Sequence, residues 1–214
     1  MYNLVKSNQV KPYREYCTKV LTSLRDSLNE KYDIKTEFYL VGSGANNLVT
    51  QDGNGPFDLD YNLRILSMSK KYWNDLKLLK NTVRNTLNEI VGDTFFSDGQ
   101  DSRSVITSNL FLKNDRTKKN FSFDIAIIAK MDNGNLCRLI HNKQYGQFTW
   151  NEIPSTIDLN IKVKKLKQYG YWGEVRDTYL AKKNMYLQRR DYNHSSFVVY
   201  VETVNDVYNK YRLH

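Results

Sequence analysis

The chain has 214 residues, with 32 Lys and Arg against 23 Asp and Glu, a formal net charge of 32 − 23 = +9. Three Pro, ten Gly and 13% aromatics exclude a collagen-like, low-complexity or disordered chain. The length suits one domain, or one domain with a helical appendage, with enough buried surface for a sizeable core.

The basic balance favours an anionic partner, such as a nucleotide, a nucleic acid or another polyphosphate; the plain alternative is a soluble protein that is merely basic. The apolar runs, such as Ile125 to Ala129, fall far short of the roughly 20 residues of a membrane span. Met1 to Arg14 lacks the apolar core and cleavage site of a signal peptide. The expectation is therefore a cytoplasmic protein with no membrane partner. Cys17 and Cys137 are too few for a disulfide framework, and with His141, His194 and His214 they are too scattered for a zinc site.

In chain order, Val10, Tyr13, Cys17, Val20, Leu21, Leu24 and Leu28 recur at offsets of three and four, predicting an amphipathic helix over 9–31. Glu37 to Val41 is rich in β-formers and ends at Gly42-Ser43-Gly44, which reads as a strand turning sharply into a short helix. Gln51 to Pro56 is loop chemistry. Phe57 to Leu66 alternates as a second strand, and one helix is expected from a Ser69 cap through Ile90. Ser104 to Lys113 and Asn120 to Lys130 predict two strands joined by a polar, basic turn. Asp132-Asn133-Gly134-Asn135 signals a hairpin into a strand over Leu136 to Asn142. After about Trp150 three helices follow, near 155–169, 172–190 and 196–211. The division therefore falls near Pro154: a mixed α/β half over 1–153 and a helical half over 154–214.

The informative chemistry lies in two strands. Residues i and i+2 of a strand share a face, so Asp58 and Asp60 project side by side. Asp124 sits inside Phe123-Asp124-Ile125, whose apolar neighbours must face the other way. Should the two strands pair there, three carboxylates converge, and like charges that close repel. A divalent cation resolves the repulsion; hard oxygen ligands select Mg²⁺ or Mn²⁺. Gly42 and Ser43, at a strand-to-helix turn, would present backbone N–H groups to a phosphate.

This pattern of a strand, Gly-Ser, a loop, Asp-x-Asp and a third Asp on a later strand resembles the nucleotidyltransferase superfamily typified by DNA polymerase β. Within it the pattern is nearest the branch of oligoadenylate synthetases, cyclic GMP–AMP synthase and related bacterial enzymes. The resemblance implies an α/β (α+β) fold: a mixed-sheet catalytic core followed by a C-terminal helical subdomain. It implies two Mg²⁺ ions (Mn²⁺ as substitute), an NTP donor and pyrophosphate release. Gly42 and Ser43 match the phosphate-binding turn, Asp58 and Asp60 the carboxylates that share both metals, and Asp124 the third acid, which helps deprotonate the acceptor. A second resemblance covers Tyr179 to Asn184 and Ser195 to Tyr200. There Lys183 or Lys182, together with Ser196, match donor-phosphate contacts, and Phe197 matches an aromatic that stacks on a base. Fourteen residues, Gly44 to Phe57, separate Ser43 from Asp58, a longer loop than most of the superfamily has.

Plainer roles stand beside these. Asp58 and Asp60 would serve on a solvated strand face, Asp124 as a salt-bridged structural acid, Gly42-Ser43-Gly44 as an ordinary turn, and Ser195-Ser196 as a helix cap. The segment lacks the Gly-Lys-Ser/Thr ending of a P-loop and the third glycine of a dinucleotide fingerprint. Nine Lys and Arg between Lys162 and Arg190, against Glu174 and Asp177, give a local charge of 9 − 2 = +7. As a group they suit a triphosphate or a nucleic-acid backbone. Tyr169, Tyr171 and Trp172 suit packing between the two halves more than base stacking. The expected activity is metal-dependent transfer of NMP from an NTP to the hydroxyl of a nucleotide, an RNA or a small molecule. The alternative is an inactive regulator or RNA-binding module of the same fold.

Overall fold

The computed structural model describes residues 1–92, 94, 96–112, 115–191 and 194–213. In chain order the elements are β1 (Tyr2–Leu4), α1 (Ser7–Tyr32), β2 (Lys35–Val41), α2 (Gly42–Ala45), β3 (Thr50–Asp52), β4 (Phe57–Ser67), α3 (Lys70–Asn74), α4 (Leu76–Val91), β5 (Gln100–Asp101), β6 (Ile106–Leu112), β7 (Asp115–Lys130), β8 (Leu136–Asn142), β9 (Gln147–Glu152), α5 (Ile157–Gln168), α6 (Trp172–Gln188) and α7 (Ser196–Lys210). The chain divides into two compact units. One holds Lys6–Asn46 and Gly55–Ile153; the other holds Met1–Val5, Asn47–Asn54 and Pro154–His214.

The first unit is built on a seven-stranded sheet ordered β2-β4-β7-β6-β5, with β8 pairing β7 and β9. The β4–β7 pair is parallel and the other pairs are antiparallel, so the sheet is mixed. Alternation along β4 is complete from Phe57 to Ile65: Leu59, Tyr61, Leu63 and Ile65 are buried, while Asp58, Asp60, Asn62 and Arg64 take the other face. On β7, Phe121, Phe123, Ile125 and Ile127 are buried with the apolar set. That face packs on the stripe of α1 that the periodicity predicts: Tyr13 meets Phe57 and Phe121 with ring centroids 5.0 and 4.7 Å apart. Phe57 and Phe121, both buried, contribute roughly 2–3 kcal/mol each. The opposite face carries the polar residues of β4 together with Ser122 and Asp124 of β7, while Ala126 and Ile128 further along β7 are buried there as well.

Several elements differ from expectation, among them the short strands β1, β3 and β5, of which β3 enters the stretch expected as loop. The helix expected over 69–90 is broken at Asp75, whose backbone leaves helical angles (φ −130°, ψ 88°) and whose carboxylate accepts from the Leu78 backbone N–H at 2.8 Å. A short acidic side chain satisfies a free helix-start amide better than it serves a helix interior. The strand β9 is additional to the predicted elements; it pairs β8 across a turn containing Gly146 at φ +62°. The hairpin at Gly134 forms as expected, with its N–H donating to Met131 O. Residues 113 and 114 of the basic turn and His214 lie outside the described residues.

The second unit packs α5, α6 and α7 around Val163, Leu166, Val175, Val204 and Val207. Tyr171 and Trp172 join this packing, and Tyr171 stacks on Tyr211 at 3.7 Å. Tyr169 stays exposed. A two-stranded ribbon of β1 and β3 belongs to the same unit. Asn184 on α6 clamps β1 through both its amide groups, accepting from Tyr2 N–H at 2.7 Å and donating to Tyr2 O at 3.0 Å. Among the described residues no helix is long and apolar enough to cross a membrane.

Candidate active site

The polar face of the sheet unit gathers the predicted acids. Asp60 of β4 and Asp124 of β7 are register partners on adjacent parallel strands, so their side chains leave the sheet on the same face. Asp58, two residues back, shares that face beside Ser122. The row continues in both directions: Val41 on β2 pairs Asp60, and Thr107 on β6 pairs Asp124. The Thr107 hydroxyl donates to Asp124 Oδ1 at 2.6 Å.

Electrostatics follow from this crowding. Burial pushes Asp60 up to about 6, and the negative charges of Asp58 and Asp124 push the same way; the Arg138 guanidinium opposes them. Asp124 is also raised, first by burial and then by Asp58, while the Thr107 hydrogen bond and Lys119 pull it back. Arg138 of β8 pairs Ile128 of β7, an even number of residues from Asp124, and so rises from the acid face. It compensates the acids only from a distance.

The Gly42-Ser43 turn closes the end of β2 directly against these acids. Gly42 has φ +61°, a left-handed conformation that favours glycine. A Cβ there would lie 2.7 Å from Asp60 Oδ2. Gly44 is just as tight on the core side, its missing Cβ falling 2.7 Å from Leu59. The turn opens α2, and Asn46 seals it by donating to Gly42 O at 3.0 Å. The first amides of a helix have no intrahelical acceptor, which makes such a turn suited to an anion.

Lys183, Ser196 and Phe197 lie in the helical unit. The Lys183 ammonium donates to Thr50 Oγ1 at 3.0 Å and Ser196 Oγ at 3.1 Å, and sits 4.3 Å from the Tyr2 ring centre. Lys182, one residue earlier, is committed elsewhere, pairing with Asp206 at 2.7 Å and Glu202 at 3.5 Å. Ser195 is the cap of α7, accepting from Val198 N–H, which leaves Ser196 as the first helical residue. Phe197 is 56% exposed.

The three carboxylates on one face are donors of the kind a hard divalent ion takes, and they carry more negative charge than Arg138 neutralises. As placed, the described residues contain no group of three or more His, Cys, Asp or Glu drawn together tightly enough to hold one, so binding requires the three carboxylates to turn toward a common point. Thr107, Arg138 and Thr50 were not singled out by the sequence. No motif spacing marks them; only strand register and chain return bring them to their partners.

No family model matches the chain, and no curated protein matches it in sequence. Solved structures do match in fold. Escherichia coli CdnC, solved with ATP, superposes with a TM-score of 0.57 at 14% identity, over 96% of this chain and 62% of that one. Escherichia coli DncV, bound to 3′-deoxy GTP, gives 0.55 at 15% identity over 86% and 48%. Vibrio cholerae DncV cyclic AMP-GMP synthase, bound to the linear intermediate pppA(3′,5′)pG, gives 0.52 at 13% identity over 71% and 38%. The chain thus spans less than two thirds of the length of these proteins. On this likeness, and on the mixed sheet that accompanies it, the chain has the fold shared by these nucleotidyltransferase structures.

Proposed function

We propose that the protein is a metal-dependent nucleotidyltransferase that moves NMP from an NTP to the hydroxyl of a second nucleotide, with release of pyrophosphate. The observation that carries this reading is the placement of Asp60, flanked by its register partner Asp124 on one side and by the Gly42 turn on the other. Carboxylates for cations and amides for phosphate then lie side by side. The linear dinucleotide in the Vibrio cholerae structure and the +9 charge of this chain both favour a nucleotide acceptor.

Asp58, Asp60 and Asp124 would hold Mg²⁺ or Mn²⁺, which supplies charge neutralisation for the triphosphate and lowers the pKa of the acceptor hydroxyl. Gly42 and Ser43 hold the β- and γ-phosphates through backbone N–H groups. Lys183 and Ser196 contact donor phosphates, and the exposed Phe197 ring stacks on a base. Asp124, whose burial raises its basicity, accepts the proton of the acceptor hydroxyl as its oxygen attacks the α-phosphorus. The new P–O bond forms as the bond to the β-phosphate oxygen breaks, and pyrophosphate carries away the electron pair. Holding the oxygen and phosphorus in line is the larger part of the rate gain.

Incubation with each α-labelled NTP and Mg²⁺ or Mn²⁺ should yield pyrophosphate and a new labelled nucleotide. Asp58→Ala and Asp124→Ala should each reduce the rate by about a thousandfold or more, a scale set by removing one transition-state charge stabiliser. No product with any NTP, together with NTP binding unchanged in both variants, would make the protein a binding module instead. Product formed only when RNA is added would change the acceptor, and its RNA affinity should then fall steeply with salt.

A further inference from the structure

The β1–β3 ribbon brings to Lys183 a side chain that the nucleotide-binding reading does not use. In its antiparallel register Leu4 pairs Thr50 and Tyr2 pairs Asp52, so Tyr2 and Thr50 are diagonal neighbours on one face of the ribbon. The Lys183 ammonium lies against that face, 3.0 Å from Thr50 Oγ1 and 4.3 Å from the Tyr2 ring centre. It also meets Ser196 Oγ of α7 at 3.1 Å. Both strands of the ribbon are held in place. Asn184 of α6 clamps the Tyr2 backbone, and Leu48, two residues before Thr50, is buried with Tyr179 of α6 and Val199 of α7. The β-branched Thr50 side chain has few χ1 choices in a strand, which fixes its hydroxyl further.

Proton counting determines what this group offers. An ammonium has three donors and no acceptor, so both hydroxyl oxygens accept from Lys183. Each hydroxyl carries one hydrogen of its own, which must point away from the ammonium. Among the described residues neither hydroxyl donates to a protein acceptor. Thr50 is partly exposed and Ser196 exposed. Two O–H donors that share one nitrogen neighbour therefore stand beside a cation with their hydrogens turned outward, and no side chain has to move to present them. A set with a positive charge and only donors to give selects an oxyanion. We infer that the Thr50 hydroxyl donates to a phosphate oxygen of the bound nucleotide, as a third member of the Lys183–Ser196 contact. The inference rests on the reading above that Lys183 and Ser196 contact donor phosphates. Because the ribbon orders Thr50 before the ligand arrives, little conformational freedom is lost on binding.

The test titrates the full chain with inorganic tripolyphosphate, which carries the phosphates without a base, and reads the heat of binding. Thr50→Val keeps the shape and removes the hydroxyl; Thr50→Ser keeps the hydroxyl and removes the methyl. Tripolyphosphate affinity should fall about tenfold in Thr50→Val and stay within about twofold of wild type in Thr50→Ser, the scale of one hydrogen bond to a charged group. The KM for NTP should rise by the same factor in Thr50→Val, with kcat within about twofold of wild type. In a Lys183→Met background Thr50→Val should still cost several-fold in affinity, because its donor acts on the anion and not through the lysine. A loss that disappears in that background would make Thr50 a mere tether for Lys183 and would overturn the inference. So would tripolyphosphate binding that is weakened by Lys183→Met but equal in wild type and Thr50→Val. If Thr50→Val fails to fold, Thr50→Ala decides the question in its place. Absence of tripolyphosphate binding in the wild type, or binding indifferent to both Lys183→Met and Ser196→Ala, would overturn the phosphate-contact reading beneath it.

Discussion

Asp60 and Asp124 face each other across one rung of a parallel strand pair, and Arg138 is the cation that tempers the charge on Asp60. The fold thus places two carboxylates side by side and half-buries them, an arrangement that costs stability unless a cation is bound.

The cost has a sign and a pH window. Asp60 is pushed up to about 6 in the folded protein, whereas an unfolded aspartate titrates near 4. Between those values the folded state binds more protons than the unfolded one, so stability falls as pH rises. Asp60→Asn should therefore stabilise the metal-free protein at pH 8 by about 1–2 kcal/mol after allowance for partial exposure, and by almost nothing at pH 4. Urea unfolding in the presence of a chelator, at both pH values, checks this. A variant less stable than wild type at pH 8 would contradict it. The same variant should be inactive.

Gly42 and Gly53 make a matched pair. Both have positive φ, +61° and +55°, but a Cβ at Gly42 meets Asp60 Oδ2 at 2.7 Å while one at Gly53 meets nothing within 4 Å. Gly53→Ala should cost about 1 kcal/mol of backbone strain and keep activity. Gly42→Ala should cost more and, by displacing the carboxylate, reduce turnover by about a hundredfold. Melting temperatures and initial rates on the two variants decide it. Equal activity would show that the turn does not set the position of Asp60.

A buried ionic cluster lies elsewhere in the sheet unit. Lys80 of α4, 3% exposed, pairs with Asp101 Oδ1 at 2.5 Å and donates to Ser102 O at 2.7 Å; Asp101 Oδ2 lies 2.6 Å from His141 Nδ1. Burial pushes Asp101 up, but the hydrogen bonds and charges of Lys80 and His141 outweigh it and hold the carboxyl below the usual range. Asp101→Asn leaves the Lys80 charge unpaired and should destabilise the protein by about 3 kcal/mol, whereas the double variant with Lys80→Met should recover most of that loss. Denaturant midpoints for the single and double variants measure the coupling. Additive losses would rule out the pair as an energetic unit.

Adjacent lysines on α6 should part company. Lys182 is tied to Asp206 and Glu202, while Lys183 reaches Thr50 and Ser196. If Lys183 contacts donor phosphates, Lys183→Met should raise the KM for NTP about tenfold or more, the scale of a lost hydrogen bond to a charged group. Lys182→Met should alter thermal stability and leave that KM near wild type. The reverse pattern would move the phosphate contact to Lys182.

Much of the site was legible because strand periodicity is a local property. Asp58, Asp60 and the inward Phe123 and Ile125 could be assigned to faces from alternation alone, and the structure keeps those faces. Gly42-Ser43-Gly44 carried the second local signal, a strand ending where only small residues fit. The break at Asp75 was hidden, because the apolar period runs through it and a single cap competes with that period on nearly equal terms. The strand β3 was hidden for another reason: Thr50-Gln51-Asp52 has no apolar alternation, and its pairing with β1 spans about fifty residues of sequence.

Composition and periodicity by themselves determined the helix stripes, the strand faces and the types of residue available for chemistry, since each depends on neighbours within a few positions along the chain. Tertiary structure decided that β4 and β7 lie parallel with Asp60 opposite Asp124, that Thr107 meets Asp124, and that Lys183 rather than Lys182 turns to Ser196. These are matters of register and long-range closure, fixed by how the buried faces of the whole sheet fit one another and not by the residues adjacent in sequence.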